Sequence, residues 1–285
     1  MLRRLFYALP LPLKYAARWC YFWPLDMVNW LSGKQHPMVP PMRMCFTGSG
    51  DFIRIGEHYL SLFQQYGGLQ AHHQVLDIGS GLGRMALPFT HFLSAEGRYC
   101  GIDVVPKGVK WCQEHYKAYG AQFRFDHAYL HNSLYTGTDA ADASTYRFAY
   151  QDQSFDFVWL TSVFTHMLPA EVSNYLAEIS RMLKPGGRCL FTLFLIPKSD
   201  PGRRLRTAGF DFPHLYSTEP NAASPIAWVM DLNTPHANVA FAMDWIDQEL
   251  ANHGLVIKHQ LLGYWDSSNP ANGIDFQDII VVEKV

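Results

Sequence analysis

Residues 75–89 read VLDIGSGLGRMALPF. Val75, Leu76, Asp77 and Ile78 form a short apolar run with one acid, and it passes directly into glycines at 79, 81 and 83. Glycine lets the chain turn sharply and lets a ligand approach the backbone. A helix opening just after the glycines presents free N–H groups to that ligand. Strand, glycine loop and helix in this order are the first unit of an open α/β sheet, in which ligands lie beyond the carboxyl ends of the strands.

The pattern continues in both directions. Upstream, Phe52, Ile55, Tyr59, Leu60 and Phe63 recur at helical spacing until Gly67 and Gly68 end the run, which predicts a helix over 51–66. Downstream, GRYCGIDV, AQFRFDHAYL, SFDFVWLTS and GGRCLFTLFL read as further strands, and RMALPFTHFL, VKWCQEHYKAY and PAEVSNYLAEISRML as helices. AMDWIDQELANHG then supplies a last helix, and LVIKHQLLGYW and FQDIIVVEKV two last strands. The alternation predicts an α/β fold: a seven-stranded, mainly parallel sheet with helices on both faces.

Which nucleotide the loop would hold depends on spacing. A dinucleotide fingerprint is G-x-G-x-x-G, whereas here the third glycine, Gly83, comes one position early and Arg84 follows it. This counts against NAD and pyrophosphate recognition. Asp103 ends the second strand, 20 residues after Gly83, where a carboxylate can accept hydrogen bonds from both ribose hydroxyls. A nucleoside ligand therefore remains.

V-L-D-I-G-S-G-L-G-R, then G-I-D, FDFVWLTSVFTHM and EISRMLKPGGRCLFT in this order, resembles the class I S-adenosylmethionine-dependent methyltransferases over residues 75–195. The resemblance implies a Rossmann-like fold, S-adenosyl-L-methionine as cofactor, and roles for individual residues. Asp77 would sit under the amino acid end of the cofactor. Gly79, Ser80, Gly81 and Gly83 would pass beside its methionine and ribose parts. Asp103 would take the ribose hydroxyls and Val104 the adenine face, with His127 and Ala128 at the adenine edge, where relatives often carry an acid. Leu160 and Thr161 would border the cofactor at the end of the fourth strand.

Methyl transfer from a positive sulfur needs alignment of the acceptor more than acid–base chemistry, unless the acceptor carries a proton of high pKa. His166, in SVFTHM just after the fourth strand, is the candidate base, because imidazole titrates near ~6.5. It precedes L-P-A-E, a helix start, so a structural role for it stands beside the catalytic one. Lys184, Pro185, Gly186 and Gly187 read as a turn into the fifth strand, without chemistry.

The remaining sequence bounds the acceptor. With 285 residues, 48% hydrophobic and 17% charged, the chain fits one elaborated domain, organised as an N-terminal extension over 1–50 and a methyltransferase domain over 51–285. A net charge of −2 gives no general attraction for nucleic acid. Five cysteines without a C-x-x-C pair point to no disulfide framework, no structural metal site and a cytoplasmic setting.

Two segments, 131–152 and 197–242, exceed the alternation and read as an insertion cap over the site. Tyr129, Tyr135, Phe210, Phe212, Tyr216 and Trp228 are expected to line an acceptor pocket, FTGSGDF over 46–52 to act as a lid, and Arg203, Arg204 and Arg206 to form an anion-binding cluster. Residues 1–31 are aromatic and basic, with an apolar run too short to span a bilayer, and read as packing on the domain or as peripheral membrane contact.

The acceptor class is thus a small molecule, glycan or lipid, with oxygen preferred over nitrogen on account of His166. Two other readings stay open: an NAD-dependent oxidoreductase, and a non-catalytic S-adenosylmethionine-binding accessory subunit.

Overall fold

The computed structural model describes residues 11–33, 36–45, 50–130, 141–207, 210–216, 225–267, 271 and 273–285, with the backbone alone over 11–18. Its N-terminal helix, α1 (Leu11–Leu31), is followed by a 3-10 turn at Met42–Met44 and then by α2 (Phe52–Gln65). Asp51 caps α2: its Oδ1 accepts from the amides of Ile53 and Arg54, both at 3.0 Å. Those amides have no partner inside the helix. Asp51→Ala is therefore expected to lower stability by about 1 kcal/mol, read as a lower urea midpoint at unchanged slope.

The central strands are β1 (Gln74–Ile78), β2 (Arg98–Asp103), β3 (Phe123–His127), β4 (Phe155–Leu160) and β5 (Leu183–Ile196). They lie parallel in the order β3-β2-β1-β4-β5. β1 is buried from Val75 onward, as a strand covered on both faces must be. α3 (Ala86–Phe92), α4 (Pro106–His115) and α5 (Pro169–Met182) are the crossovers. After α6 (Met243–Asn252), β9 (Leu255–Leu261) and β10 (Asp278–Lys284) close the far edge, with β10 antiparallel to both β5 and β9.

Side chains alternate between two cores. Val75, Tyr99, Phe157, Trp159 and Leu190 face α2, α3 and α4, where Trp159 stacks on Phe89 at 5.0 Å and meets Phe63 at 4.7 Å. Leu76, Val158, Leu160, Cys189 and Phe191 face α5 and α6, packing on Val172, Leu176, Ile179, Ile246 and Leu250.

The sheet exceeds the expected seven strands. Residues 197–242 supply three more, β6 (His214–Tyr216), β7 (Ala227–Val229) and β8 (Val239–Ala242), and β8 pairs in parallel with the distal end of β5, Phe194 to Ala240. Strands of three or four residues among prolines are too short for a period-2 pattern to show.

The 184–187 turn is a bulge at the start of β5, lying between the pairs Leu183–Phe155 and Arg188–Phe157. Lys184 Nζ bonds Asp156 Oδ1 at 2.7 Å.

The arginine cluster is structural, which corrects the expected anion site. Arg203 is 3% exposed and forms a bidentate pair with Asp278, at 2.8 and 3.0 Å. Asp278 also accepts from Trp265 Nε1 and from the amides of Leu195 and Gly263. Arg204 donates to the Phe212 carbonyl and lies over Trp228, and Arg206 pairs with Asp200 and Asp266.

The insertion aromatics are likewise not a pocket lining. Phe212 and Phe210 pack with Phe194, Trp265 and Trp228 in a satellite core, Tyr216 packs against the α5 and α6 core, and Tyr129 is exposed. Tyr135 and residues 46–49 of the expected lid lie outside the described residues.

Candidate active site

A cavity of about 600 Å³ opens beyond the carboxyl ends of β1, β2 and β4, within the size range of small-molecule sites. Its first wall is the glycine loop. Gly79 has φ +86°, and a Cβ there would lie 2.5 Å from Val163 Cγ2. Both the backbone conformation and the space exclude a side chain. Gly79→Ala is expected to lower stability by about 2 kcal/mol in a denaturation curve, through strain at positive φ and displacement of Val163.

Asp103, at the end of β2, anchors that loop. Its Oδ2 accepts from the Gly81 amide at 2.7 Å and its Oδ1 from the Val105 amide at 2.7 Å. Burial pushes this carboxyl above its usual range, against the pull of the two amides and His127. Each oxygen has a second lone pair, so a buried carboxylate held from behind can still accept two hydroxyls. Ser80 Oγ is buried and has no partner among the described residues, and Ser80 lines the same cavity. Ile102, Val104, Val105, Ala128, Leu130 and Phe148 form the apolar wall beyond Asp103. Ribose-type hydroxyls beside an apolar slot for a base fit this half of the cavity.

Of the residues expected to hold cofactor, Gly79, Ser80, Asp103, Val104, Ala128 and Thr161 border the cavity. Asp77, Gly81, Gly83, His127 and Leu160 do not. Asp77 turns to the opposite face of the sheet, where Tyr99 donates to it and burial pushes its carboxyl up to about 7. Its place under the loop is structural support from below, because strand alternation sends it away from the ligand side. Gly81 acts through its amide on Asp103, and the Gly83 carbonyl accepts from the Tyr116 hydroxyl at 2.9 Å. Leu160 is fully buried in the α5 and α6 core, and exposed His127 places Nε2 3.2 Å from the Val104 carbonyl.

The second wall follows β4. Ser162 has φ +57°, uncommon for a residue with a side chain. The conformation is held by its amide donating to Thr192 Oγ1 at 2.7 Å and its hydroxyl bonding Gln277 Oε1 at 3.1 Å. This kink seats Val163 over Gly79 and starts the 3-10 turn Phe164–His166 that brings His166 to the cavity.

His166 Nδ1 lies 3.1 Å from the His236 carbonyl. A carbonyl only accepts, so Nδ1 carries the proton in the neutral ring and Nε2 is the basic nitrogen. Burial lowers the His166 pKa, outweighing the carbonyls of His236 and Ala237 that raise it. His236 Nε2 in turn meets Glu171 Oε1 at 3.3 Å, while Glu171 Oε2 accepts from the Leu168 amide.

Sequence reasoning passed over the third wall. Tyr59 and His58 of α2 face Asp275, with His58 Nε2 3.5 Å from Asp275 Oδ2, and Tyr264 and Gln277 complete it. Burial, followed by Asp275, holds the Tyr59 phenol well above its usual range. No local motif marks these residues, since α2 and the segment just before β10 meet only in the folded chain. Glu171 was legible as a helix-start residue, but its reach to His236 was not. Among the described residues no group of three or more His, Cys, Asp or Glu could hold a metal ion.

Residues 76–191 match a family model described as a methyltransferase domain. A probable phthiotriol/phenolphthiotriol dimycocerosates methyltransferase 2 of Mycobacterium ulcerans is 26% identical over 183 residues, which are 61% of each chain. The chain thus spans about three fifths of the length of that curated relative. A Pyrococcus horikoshii protein of known structure superposes with a TM-score of 0.53 at 15% identity, covering 85% of this chain and 95% of its own. A SAM-dependent methyltransferase from Methanosarcina mazei superposes with a TM-score of 0.50 at 19% identity, covering 79% and 97%. Both superpositions share the fold, and the family match displaces the NAD-dependent oxidoreductase reading. With its motifs in order along a β3-β2-β1-β4-β5 sheet and Asp103 holding the loop, residues 76–191 carry a methyltransferase domain of the class I S-adenosylmethionine-dependent kind.

Proposed function

We propose that the chain methylates a lipid-like acceptor, at oxygen in preference to nitrogen, with His166 as the base. The observation that carries this reading is a neutral imidazole bordering the cavity, with Nδ1 engaged by the His236 carbonyl and Nε2 left as the basic nitrogen. The name of the mycobacterial relative gives a lipid substrate class, and that name is the support for a lipid acceptor here. Gly79, Ser80, Asp103, Val104, Ala128 and Thr161 would hold the cofactor, which when bound supplies a methyl group activated by a positive sulfur.

The chain's own residues do the rest. Asp103 accepts the hydroxyls and the wall around Val104 takes the base, which fixes the position of the reacting centre. An acceptor hydroxyl would pass its proton to His166 Nε2, a role that a neutral amine, already the stronger nucleophile, does not require before it attacks. The membrane is the surface from which such an acceptor would be drawn, and residues 1–31 are the part of the chain we assign to it.

The test is incubation of the protein with methyl-labelled S-adenosylmethionine and fractionated lipid extract, followed by mass spectrometry and NMR of labelled products. An ether or ester methyl on a lipid is expected. Tight cofactor binding with no labelled product in any fraction would leave the accessory-subunit reading in its place.

A further inference from the structure

Helix α1 is apolar almost all round and stands largely free of the domain. Trp19, Trp23 and Trp30 are 48%, 42% and 69% exposed, and Tyr21 and Val28 are 73% and 63% exposed. At 100° per residue the three tryptophans fall within an arc of about 40°, on the side that also carries Asp26 and faces residues 36–43, while Tyr21, Leu25 and Val28, the last two residues 48% and 63% exposed, fall within an arc of about 60° on the opposite, outward side. By the same spacing the positions of Lys14 and Arg18 fall within that outward arc or about 20° beyond it. The one acid of the helix, Asp26, is buried: it accepts from the amides of Met42 and Arg43 at 2.7 and 3.1 Å, and Arg43 Nη1 lies 3.5 Å away. The outer surface of the helix therefore carries no negative side chain.

Charge is segregated in the same way along the whole chain. Residues 1–45 contain six cationic residues, Arg3, Arg4, Lys14, Arg18, Lys34 and Arg43, against Asp26 alone. The remaining 240 residues carry 17 cationic residues against 24 acids. A cationic, tryptophan-rich helix on an anionic domain is complementary to a negatively charged, apolar layer, and one face of the molecule is thereby selected to approach it. No helix among the described residues is long and apolar enough to cross a membrane.

We propose that α1 lies along the surface of an anionic lipid bilayer, with Tyr21, Leu25 and Val28 at the level of the headgroups and the basic positions beside them. Tyrosine suits this depth, having a large apolar ring and one hydroxyl. The segment after α1 carries the docked helix to the site: Met38, Val39, Met44 and Cys45 pack on Phe52, Leu82 and Leu87, and Leu82 lines the cavity. This inference rests on the lipid-acceptor reading for its biological sense, but its geometry and charge argument stand apart from catalysis.

The test is flotation of the full chain with phosphatidylcholine vesicles and with vesicles containing equal parts of phosphatidylglycerol. Binding to the anionic vesicles, weakened by added salt, is expected. K14E/R18E should reduce partitioning by about 30-fold or more, at about one basic-residue increment for each charge removed. Y21S/L25S/V28S should abolish flotation with the anionic vesicles. Calorimetric affinity for S-adenosylmethionine, unchanged in both variants, shows that the domain is folded. Equal binding to both vesicle types, wild-type binding by Y21S/L25S/V28S, or self-association through α1 without vesicle binding would each overturn the proposal. Vesicle binding without methylated lipid would retain this inference and remove the lipid-acceptor reading, and methylated lipid without vesicle binding would do the reverse.

Discussion

Asp103→Ala is expected to weaken S-adenosylmethionine binding by about 100-fold in a calorimetric titration, corresponding to about 3 kcal/mol. On the proposed role of Asp103, two hydrogen bonds from hydroxyls to a carboxylate would be removed, each of the charge-assisted kind that contributes about 1.5–3 kcal/mol. Part of the loss is indirect. The Gly81 and Val105 amides, both 2.7 Å from the carboxylate, lose the acceptor that sets the glycine loop. Asp103→Asn separates the two contributions, because the amide preserves shape and one acceptor oxygen while turning the other into a donor. If Asn binds as weakly as Ala, charge and acceptor geometry dominate over loop support. An affinity for Asp103→Ala equal to that of the wild type would remove Asp103 from the cofactor site.

What the sequence made legible divides along a physical line. VLDIGSGLG, GID and FDFVWLTS are local signals: an apolar run of strand length, then glycine or an acid where the strand ends. They located β1, β2 and β4, and Asp103, Gly79 and Thr161 follow because strand ends in an open sheet share one edge.

Signals that depend on which face a residue takes, or on distant partners, were not legible. Asp77 lies one residue from the strand end yet faces the opposite core, because side chains alternate. The spacing of Arg203, Arg204 and Arg206 said nothing of Asp278, 75 residues away from Arg203, which converts one of them into a buried ion pair. Phe210 and Phe212 looked like pocket aromatics because β6, β7 and β8 were too short to announce a sheet on which they pack. Helix α1 escaped for another reason. With little polar residue content to mark a face, and with Pro24 inside it, its sequence shows no amphipathic period.

His166→Ala carries the larger expected effect: a fall of about 10²–10⁴ in kcat, the range for removing a general base, with affinity for S-adenosylmethionine nearly intact. Affinity is spared because Asp103, Ser80 and the glycine loop do not touch the imidazole in the hydrogen bonds that set them. The pH profile distinguishes a base from a packing residue. A base must be neutral to act, and burial lowers the His166 pKa below its usual ~6.5, so kcat should fall as pH drops through that lowered value and stay level through neutrality. The same shift affects stability with a defined sign. Below about pH 6.5 the unfolded chain gains a proton at this histidine while the folded chain resists it, so stability declines as pH falls until the folded value is passed. In His166→Ala both the acid limb of kcat and this contribution to acid instability should disappear together. His166→Gln, which keeps a polar side chain of similar reach but cannot take up the proton, should restore stability at neutral pH without restoring turnover. Turnover near the wild-type level in either variant would assign His166 to holding the 236–237 backbone and leave methyl transfer here to alignment alone.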